Sequence, residues 1–255
     1  MQRIRQHMTW LYRAWRYRLL VERPEVRFVL EHLRPGDIAI DIGAHKGAFL
    51  YWMQRAVGRD GRVVAFEPQP ELAQYLRSLA SDRGLDHVRV VNAALSHHPG
   101  VMTLTRAGEL PSPGARLHPD EVREEGIAGH VSFAVRVEAL DKFLTQSDRP
   151  VRLIKCDVEG HELAVFRGAR RILEEDQPLL LFECERRHHH GASIAPVFEY
   201  LQELGYSGAY LDEQREQPLS AFRPEFQDDP RSKSYVNNFV FTPRRLAATE
   251  LRKVA

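Results

Sequence analysis

The stretch Ile38-Ala39-Ile40-Asp41-Ile42-Gly43-Ala44-His45-Lys46-Gly47 decides the fold of this 255-residue chain. Its apolar first half predicts a buried strand, and the helix-like stretch Ala48–Val57 follows directly. Between them lie two glycines, which let the backbone turn sharply and approach a ligand closely. A strand, a glycine turn and a helix are typical of nucleotide-binding sheets, although the same stretch could be only a tight turn.

The alternation of strands and helices continues along the chain. The apolar runs predict further strands at 62–67, Val88–Val91, Val151–Cys156 and 179–182, and the helix-like runs predict helices at 70–80 and 162–175. Strands that are apolar on both faces and separated by helices indicate a parallel sheet covered on both sides. We therefore expect an α/β fold with a doubly wound, Rossmann-like and mostly parallel sheet, which binds its ligand where the strand order reverses.

Two other regions depart from this alternation. Runs at 101–105 and 131–137 predict a small β insertion, and the Pro- and Gly-rich stretch 108–129 between them predicts a mobile loop beside the site. Runs at 208–211 and 238–241 predict a C-terminal antiparallel strand pair. We divide the chain into an N-terminal helical extension (1–34), a main domain (35–243) and a helix-prone, basic tail (244–255).

The overall composition narrows the class of protein. The formal net charge is only +1, so nothing global predicts a nucleic-acid partner. Cys156 and Cys184 end apolar runs, which fits reduced thiols better than a disulfide scaffold. No apolar run approaches the ~20 residues that a membrane-spanning helix needs. These features predict a cytoplasmic protein.

Residues 1–23 have a pattern of their own. Apolar side chains recur at helical spacing among six arginines, and the apolar ones are Ile4, Met8, Leu11, Trp15 and Leu19. One interpretation is an amphipathic helix that packs on the domain or on a second subunit in a homodimer. The other is a helix that lies on an anionic membrane, peripheral at the inner face, because tryptophans beside arginines suit that interface.

The ends of the first three strands predict a site for a nucleoside-containing donor. Glu67 ends the second strand 20 residues beyond Gly47, where an acid can hold both ribose hydroxyls, and Pro68 stops the strand. Gly-x-x-x-Gly is not the Gly-x-Gly-x-x-Gly expected for a pyrophosphate, which favours S-adenosylmethionine over NAD. Asp41 is the acid expected to bind the ammonium group of the donor, and Asn92 or its neighbours could meet the adenine edge. The full set of predicted donor residues is Asp41, Gly43, Ala44, His45, Gly47, Glu67, Pro68, Asn92 and Ala93.

A block of motifs resembles a known family. Besides the glycine turn, the chain contains in order Phe66-Glu67-Pro68-Gln69-Pro70, Asn92-Ala93-Ala94-Leu95-Ser96, Ile154-Lys155-Cys156-Asp157-Val158-Glu159-Gly160-His161-Glu162 and Phe166-Arg167-Gly168-Ala169. This order resembles the FkbM family of methyltransferases. The resemblance implies a class I methyltransferase fold and a hydroxyl acceptor, often on a sugar or polyketide. His45 stands where family members commonly have asparagine.

The end of the fourth strand carries the candidate catalytic residues. Methyl transfer from a sulfonium is an in-line displacement, so the acceptor oxygen must be aligned and must lose its proton. Asp157 and His161 are our acid–base candidates, and we expect Lys155 and Glu159 to position the reacting groups. Glu162 could equally be an acid that begins the next helix.

Several further polar residues have open roles. Asp157 and Glu183 could hold Mg²⁺ at adjacent strand ends, a placement similar by analogy to that of the metal ligands of catechol O-methyltransferase, but two ligands are few and we expect no metal. The run His188-His189-His190 could be a solvated loop or bind zinc. Three polar residues before the last strand could line an acceptor pocket or only form a turn, namely Tyr235, Asn237 and Asn238.

Together these features predict an O-methyltransferase that uses S-adenosylmethionine. The expected acceptor is a hydroxyl of a glycan, a lipid-linked saccharide or a secondary metabolite. Two alternatives stay open at this point: an NAD-binding Rossmann oxidoreductase, and a non-catalytic scaffold that keeps the fold and binds a membrane or partner through residues 1–23.

Overall fold

The computed structural model describes residues 2–118, 129–145, 149–189, 191–212 and 215–244. Its main sheet has eight strands in the order β11-β10-β12-β9-β8-β1-β2-β3. The strands are β1 (Ile38–Ile42), β2 (Arg62–Phe66), β3 (Val88–Val91), β8 (Val151–Cys156), β9 (Leu179–Glu183), β10 (Tyr206–Leu211), β11 (Glu216–Pro218) and β12 (Asn238–Pro243). The predicted α/β class and the class I, Rossmann-like sheet are confirmed.

The centre of the sheet is parallel and its far edge is antiparallel. β1 pairs in parallel with both β2 and β8, and β8 pairs in parallel with β9. β12 runs antiparallel to β9 and to β10, so the predicted C-terminal pair is present and lies inside the main sheet. The strand order reverses between β1 and β8, which places the switch point at the ends of these two strands.

Two hydrophobic cores cover the two faces of the sheet. Every residue of β1 is buried: Ile38, Ile40 and Ile42 pack into one core, and Ala39 packs into the other. The helices of the second face are α3 (Ala48–Val57) and α4 (Pro70–Asp82), together with the N-terminal α1 (Gln2–Arg16) and α2 (Arg23–His32). The first face is covered by α5 (Leu140–Phe143), α6 (Glu162–Arg167), α7 (Arg170–Glu175) and α8 (Ala195–Glu203).

The stretch predicted as one helix at 162–175 is helical but divided into two helices, α6 and α7. Gly168 lies so close to the chain at Ser96 that a Cβ atom there would be 2.0 Å from the Ser96 carbonyl oxygen. The second helix begins anew because the Asp141 carboxylate accepts hydrogen bonds from the amide groups of Arg171 and Ile172, at 2.7 and 3.1 Å. An acceptor from a distant part of the chain therefore starts α7.

The β insertion forms a sheet of its own. It has the order β4-β7-β5-β6, with β4 (Ala94–Leu95), β5 (Gly100–Ala107), β6 (Arg116–His118) and β7 (His130–Glu138). The stretch 108–129 is thus not all loop, since β6 pairs with β5 inside it. Residues 119–128 lie outside the described part of the chain, as do 245–255 of the predicted tail.

The N-terminal extension packs on α3. A π-helical turn, Tyr17–Val21, separates α1 from α2. The indole nitrogen of Trp10 donates to the Gly47 carbonyl at 2.6 Å, and that of Trp52 donates to the Ala14 carbonyl at 2.9 Å. Among the described residues, no helix combines the length and the apolarity needed to cross a bilayer. The division of the chain at residue 35 stays a prediction.

Candidate active site

A cavity opens at the switch point, at the carboxyl ends of β1, β2, β8 and β9. Its walls combine the turn after β1, the ends of the other strands, the β insertion and the N-terminal extension. Of the predicted donor residues, six line the cavity: Gly43, Ala44, His45, Glu67, Pro68 and Ala93. Of the predicted catalytic residues, Lys155, Asp157 and Glu159 line it.

The turn after β1 is pressed against the end of β8. Gly43 has a φ of 76°, and a Cβ atom there would lie 1.9 Å from the Asp157 carbonyl oxygen. Only glycine fits that contact in that conformation. Gly43 and Ala44 both donate their amide hydrogens to the Phe66 carbonyl at 3.0 Å, which ties the turn to β2. The two predicted halves of the site are therefore in direct contact.

Glu67 is fixed on the cavity wall by backbone donors. Its Oε2 accepts from the His45 amide at 2.7 Å and its Oε1 from the Gln69 amide at 2.9 Å. Burial raises the pKa of Glu67 to about 7, although both amides favour its charge. Asn92 was predicted to contact the donor but is not part of the cavity wall. Its side-chain amide donates to the carbonyls of Glu67 and Pro68, both at 2.9 Å, and so holds this turn.

His45 brings little positive charge to the cavity. Burial, reinforced by Lys46, lowers the pKa of His45 to about 4, so its imidazole is neutral near pH 7. Gly47 sits behind the wall, where a Cβ atom would lie 2.7 Å from Leu76 and 3.0 Å from the Trp10 indole. Its small size therefore serves packing.

Lys155 is a buried cation between two carboxylates. Its Nζ lies 3.1 Å from Asp157 Oδ2 and 4.0 Å from Oδ1 of the fully buried Asp41. Burial works against the charge of the ammonium, but Asp157, Asp41 and Glu22 outweigh it and raise the pKa of Lys155 above its ordinary value. Burial raises the pKa of Asp41 to about 6, against the pull of Lys155. Asp41 lies behind the wall, so it supports Lys155 from below.

Glu159 and Glu183 come together with a histidine, His188. The His188 Nε2 lies 2.9 Å from Glu159 Oε2, and single ligand atoms of His188, Glu159 and Glu183 all lie within 4.8 Å of one another. Burial, and then the charge of Asp157, raises the pKa of Glu183 to about 11. This trio could hold a cation, and it includes Glu183 but not Asp157, the other residue that the sequence suggested for a metal.

The residues after β9 and before β12 support Glu183 from outside the cavity. The carboxylate of the buried Glu185 accepts hydrogen bonds from Tyr235, Asn237 and Arg187. Although burial opposes its charge, these and Glu183 hold the pKa of Glu185 at about 2. Tyr235 and Asn237 thus anchor a buried acid and do not line the cavity, and Asn238 donates to Asn237 at 3.1 Å.

His161 and Glu162 face away from the cavity. The His161 Nε2 lies 2.9 Å from the Ser96 hydroxyl, and burial lowers the pKa of this imidazole. Glu162 Oε1 accepts from the Gly160 amide at 2.9 Å, and Glu162 begins α6. Its other oxygen lies 3.2 Å from His189, in a second cluster with Cys184. His190 lies outside the described residues.

Three wall residues from the N-terminal extension, Arg13, Tyr17 and Glu22, were missed from sequence. Arg13 donates to the Lys46 carbonyl at 3.2 Å, which brings the helix end to the donor turn. Burial raises the pKa of Glu22 to about 8, with Lys155 opposing and Asp157 adding to the shift. Glu22 is the only acid among residues 1–23, and that isolation was the signal available in the sequence.

Comparison with known proteins identifies the family. Residues 41–207, about two thirds of the chain, match the family model described as the methyltransferase FkbM domain. The chain belongs to the FkbM methyltransferase family. The match begins at Asp41 and includes the Glu67 turn, the β insertion and the Lys155–Glu162 block.

Two curated relatives and one solved structure accompany this match. Methyltransferase sdnD of Sordaria araneosa is 28% identical, over 54% of this chain and 62% of that protein. Hexuronic acid methyltransferase AglP of Haloferax volcanii is 29% identical, over 63% of this chain and 62% of that protein. The crystal structure of an FkbM methyltransferase from Methylobacillus flagellatus has a TM-score of 0.52 at 17% identity, covering 91% of this chain and 53% of that one. The match thus spans less than two thirds of each of these proteins.

The cavity of this FkbM family member fits the family's methyl donor, S-adenosylmethionine. Five carboxyl side chains line it, Glu22, Glu67, Asp157, Glu159 and Glu183, against three cationic ones, Arg13, Lys46 and Lys155. Burial raises the pKa of Glu22 to about 8 and that of Glu183 to about 11, so both carboxyls are largely protonated near pH 7 and the wall is not strongly anionic. The family match, and not the charge of the wall, counts against the NAD alternative.

Proposed function

We propose that the chain is an S-adenosylmethionine-dependent O-methyltransferase whose acceptor is a hydroxyl of a glycan, a lipid-linked saccharide or a secondary metabolite. The observation that carries this proposal is the contact of the donor turn with the Lys155–Asp157 pair. Gly43 packs on the Asp157 backbone, so the groups for the donor and the groups for proton removal share one cavity.

The donor would be held by the ends of β1 and β2. Glu67 would accept hydrogen bonds from the ribose hydroxyls, because its carboxylate is already oriented by two backbone amides. Gly43 and Ala44 allow close approach of the backbone. S-adenosylmethionine would supply a methyl group on a sulfonium, whose carbon an acceptor oxygen could attack in line while S-adenosylhomocysteine leaves.

Asp157 is the proposed general base. Its side chain is 30% exposed at the cavity, and the Lys155 ammonium fixes its orientation from 3.1 Å. The carboxylate would take the hydroxyl proton as the new C–O bond forms. Lys155 cannot serve as that base because the surrounding acids keep it protonated. Glu159, held by His188, would position the acceptor.

The other base candidate, His161, is not retained. Its imidazole is directed at Ser96 and it is not part of the cavity wall, so it cannot reach an acceptor there without rearrangement of α6. We assign it a positioning role at the start of that helix.

The acceptor class is proposed from one relative and from two cations of the cavity wall. AglP, the relative at 29% identity, is a hexuronic acid methyltransferase, which favours a glycan acceptor for this chain as well. Arg13 and Lys46 on the wall would suit an acidic sugar, because a carboxylate there would gain two cationic partners.

The proposal is tested by incubating the protein with S-adenosylmethionine and a panel of hexuronic acids, neutral oligosaccharides and lipid-linked saccharides. We expect S-adenosylhomocysteine to form with at least one glycan, and the product to gain a base-stable methyl ether by mass spectrometry and NMR. A base-labile methyl ester would mean that a carboxylate is the acceptor. Donor binding without turnover on every class of hydroxyl would favour the non-catalytic scaffold.

A further inference from the structure

The N-terminal helix leaves a row of large apolar side chains in solvent. Of the nine exposed large hydrophobic residues in the described part of the chain, seven lie between residues 4 and 21. Five of them follow one side of α1 and its continuation, and we call them the apolar stripe: Ile4, Met8, Tyr12, Trp15 and Leu19. Contiguous exposed apolar surface of this kind indicates an interaction site.

Most of the stripe lies away from the face by which α1 packs on the domain, although Trp15 also contacts Trp52 edge-on, at 5.1 Å between ring centroids. Trp10 and Ala14 are buried against α3; the Trp10 indole donates to the Gly47 carbonyl, and the Ala14 carbonyl accepts from the Trp52 indole. The exposed fractions of Ile4, Met8 and Tyr12 are 69%, 57% and 71%. The docked face therefore does not account for these three side chains, and the stripe needs a separate explanation.

The surface around the stripe is cationic. Residues 1–21 contain five arginines and no acidic residue. Arg5 and Arg16 are exposed and belong to the same helix as the stripe. Arg18 lies over the rings of Trp15 and Trp52, at 5.3 and 4.7 Å from the two centroids. Apolar side chains beside arginines, without acids, are complementary to an anionic membrane surface.

A shallow basic cleft lies next to the stripe. It is lined by Arg5, Gln6, Thr9, Arg13, Lys46, Leu72 and Tyr75. The Tyr75 hydroxyl is buried and has no hydrogen-bond partner among the described residues. Three cations with a spare hydroxyl form a donor set suited to a phosphate group. Arg13 and Lys46 also line the cavity of the candidate active site. The cleft therefore connects the stripe with the mouth of that cavity.

We propose that this face docks on an anionic phospholipid bilayer, with the apolar stripe in the interfacial region and lipid phosphates in the basic cleft. A second copy of the chain fits the face less well, because a twofold contact would bring the two sets of arginines together. The docking would turn the mouth of the cavity toward the lipid surface. This inference does not depend on the methyl-transfer proposal.

The test is sedimentation of the full chain with vesicles of phosphatidylcholine alone or mixed with phosphatidylglycerol, at low and high salt. We expect binding only to the mixed vesicles and weaker binding at high salt. Arg5→Gln and Arg16→Gln should each weaken vesicle affinity about fivefold, and Ile4→Gln with Met8→Gln should abolish binding. Matched controls are Arg231→Gln and the pair Val101→Gln with Leu110→Gln, whose exposed side chains lie elsewhere and which should bind as the parent does.

Thermal melts and donor titrations of each variant show whether the fold is retained. Equal binding to both kinds of vesicle, or to neither, would overturn the proposal. So would binding of inorganic phosphate by a protein that ignores vesicles. A dimer in sedimentation velocity that dissociates in the Ile4→Gln, Met8→Gln variant would assign the stripe to a second copy instead.

Discussion

The two sides of the cavity are built in different ways. On the side of β1 and β2, backbone groups hold the polar side chain, since Glu67 takes both of its hydrogen bonds from amides. On the side of β8 and β9, side chains hold one another, as Lys155 holds Asp157 and His188 holds Glu159. A site fixed by backbone is suited to bind one rigid ligand, and a site of paired charges can exchange protons. We therefore expect binding and chemistry to separate along this division.

The largest effect should come from Asp157→Asn. The variant keeps the shape and an acceptor for Lys155 but removes the proposed base, so single-turnover rates should fall by about 10²–10⁴. Donor affinity, measured by calorimetry, should change little, because the ribose is assigned to Glu67 at the end of β2 and Gly43 contacts only the backbone of Asp157. A melting curve shows whether the loss of the ion pair has unfolded the protein.

His161→Gln is the matched control for that experiment. It should leave turnover close to that of the parent, because His161 faces Ser96 outside the cavity. If the histidine variant loses turnover and the asparagine variant does not, the base has been assigned to the wrong residue. Loss of donor affinity in Asp157→Asn would instead make Asp157 a donor ligand and remove the division between the two sides.

The next largest effect should come from Glu67→Ala, on the opposite wall. Removal of the charged acceptor would leave ribose hydroxyls without a partner, which costs about 1.5–3 kcal/mol and weakens donor binding by about 10- to 150-fold. Turnover at saturating donor should stay near that of the parent, and Glu67→Gln should lie between the two. Unchanged calorimetric affinity in a folded alanine variant would contradict the assignment of Glu67.

The same division explains what could be read from the sequence. Gly43 and Glu67 were predicted because their positions follow from a strand, a turn and the next strand, all local in the chain. Glu22 and Arg13 were missed because they reach the cavity only after Trp10 docks on the turn at Gly47, a contact across 37 residues. The end of the helix at Gly168 was missed for the same reason, since a distant backbone segment imposes it.

A smaller effect is expected from Glu22→Gln, which tests whether the N-terminal extension belongs to the carboxylate side. Burial raises the pKa of Glu22 from 4.5 to about 8, so the folded state keeps a proton that the unfolded chain has lost. The free energy of unfolding attributable to Glu22 therefore falls as pH rises from 4.5 to 8. The glutamine variant should match the parent's Tm at pH 5 and exceed it at pH 8, by about 2–4 °C for each 1 kcal/mol.

Glu31→Gln, on the exposed surface of the same extension, is the control and should follow the parent at both pH values. A parallel shift of Glu22→Gln and the parent across the whole pH range would mean that Glu22 ionises as freely as it does in solvent. Burial in the cavity wall would then have no effect on the ionisation of Glu22.

Removal of divalent cations is expected to have no effect on turnover. Glu159, Glu183 and His188 are close enough to hold an ion, but the His188 imidazole already pairs with Glu159 at 2.9 Å, and Asp157 is directed at Lys155. The carboxylates of Glu159 and Asp157 thus each have a protein partner already. Dialysis against EDTA should leave turnover unchanged, and His188→Gln should respond to EDTA as the parent does. Loss of turnover that Mg²⁺ or Mn²⁺ restores in the parent, but not in His188→Gln, would show that the paired side chains are an ion site. The β8 and β9 side of the cavity would then align the acceptor through a metal, and Asp157 would no longer be required as the general base.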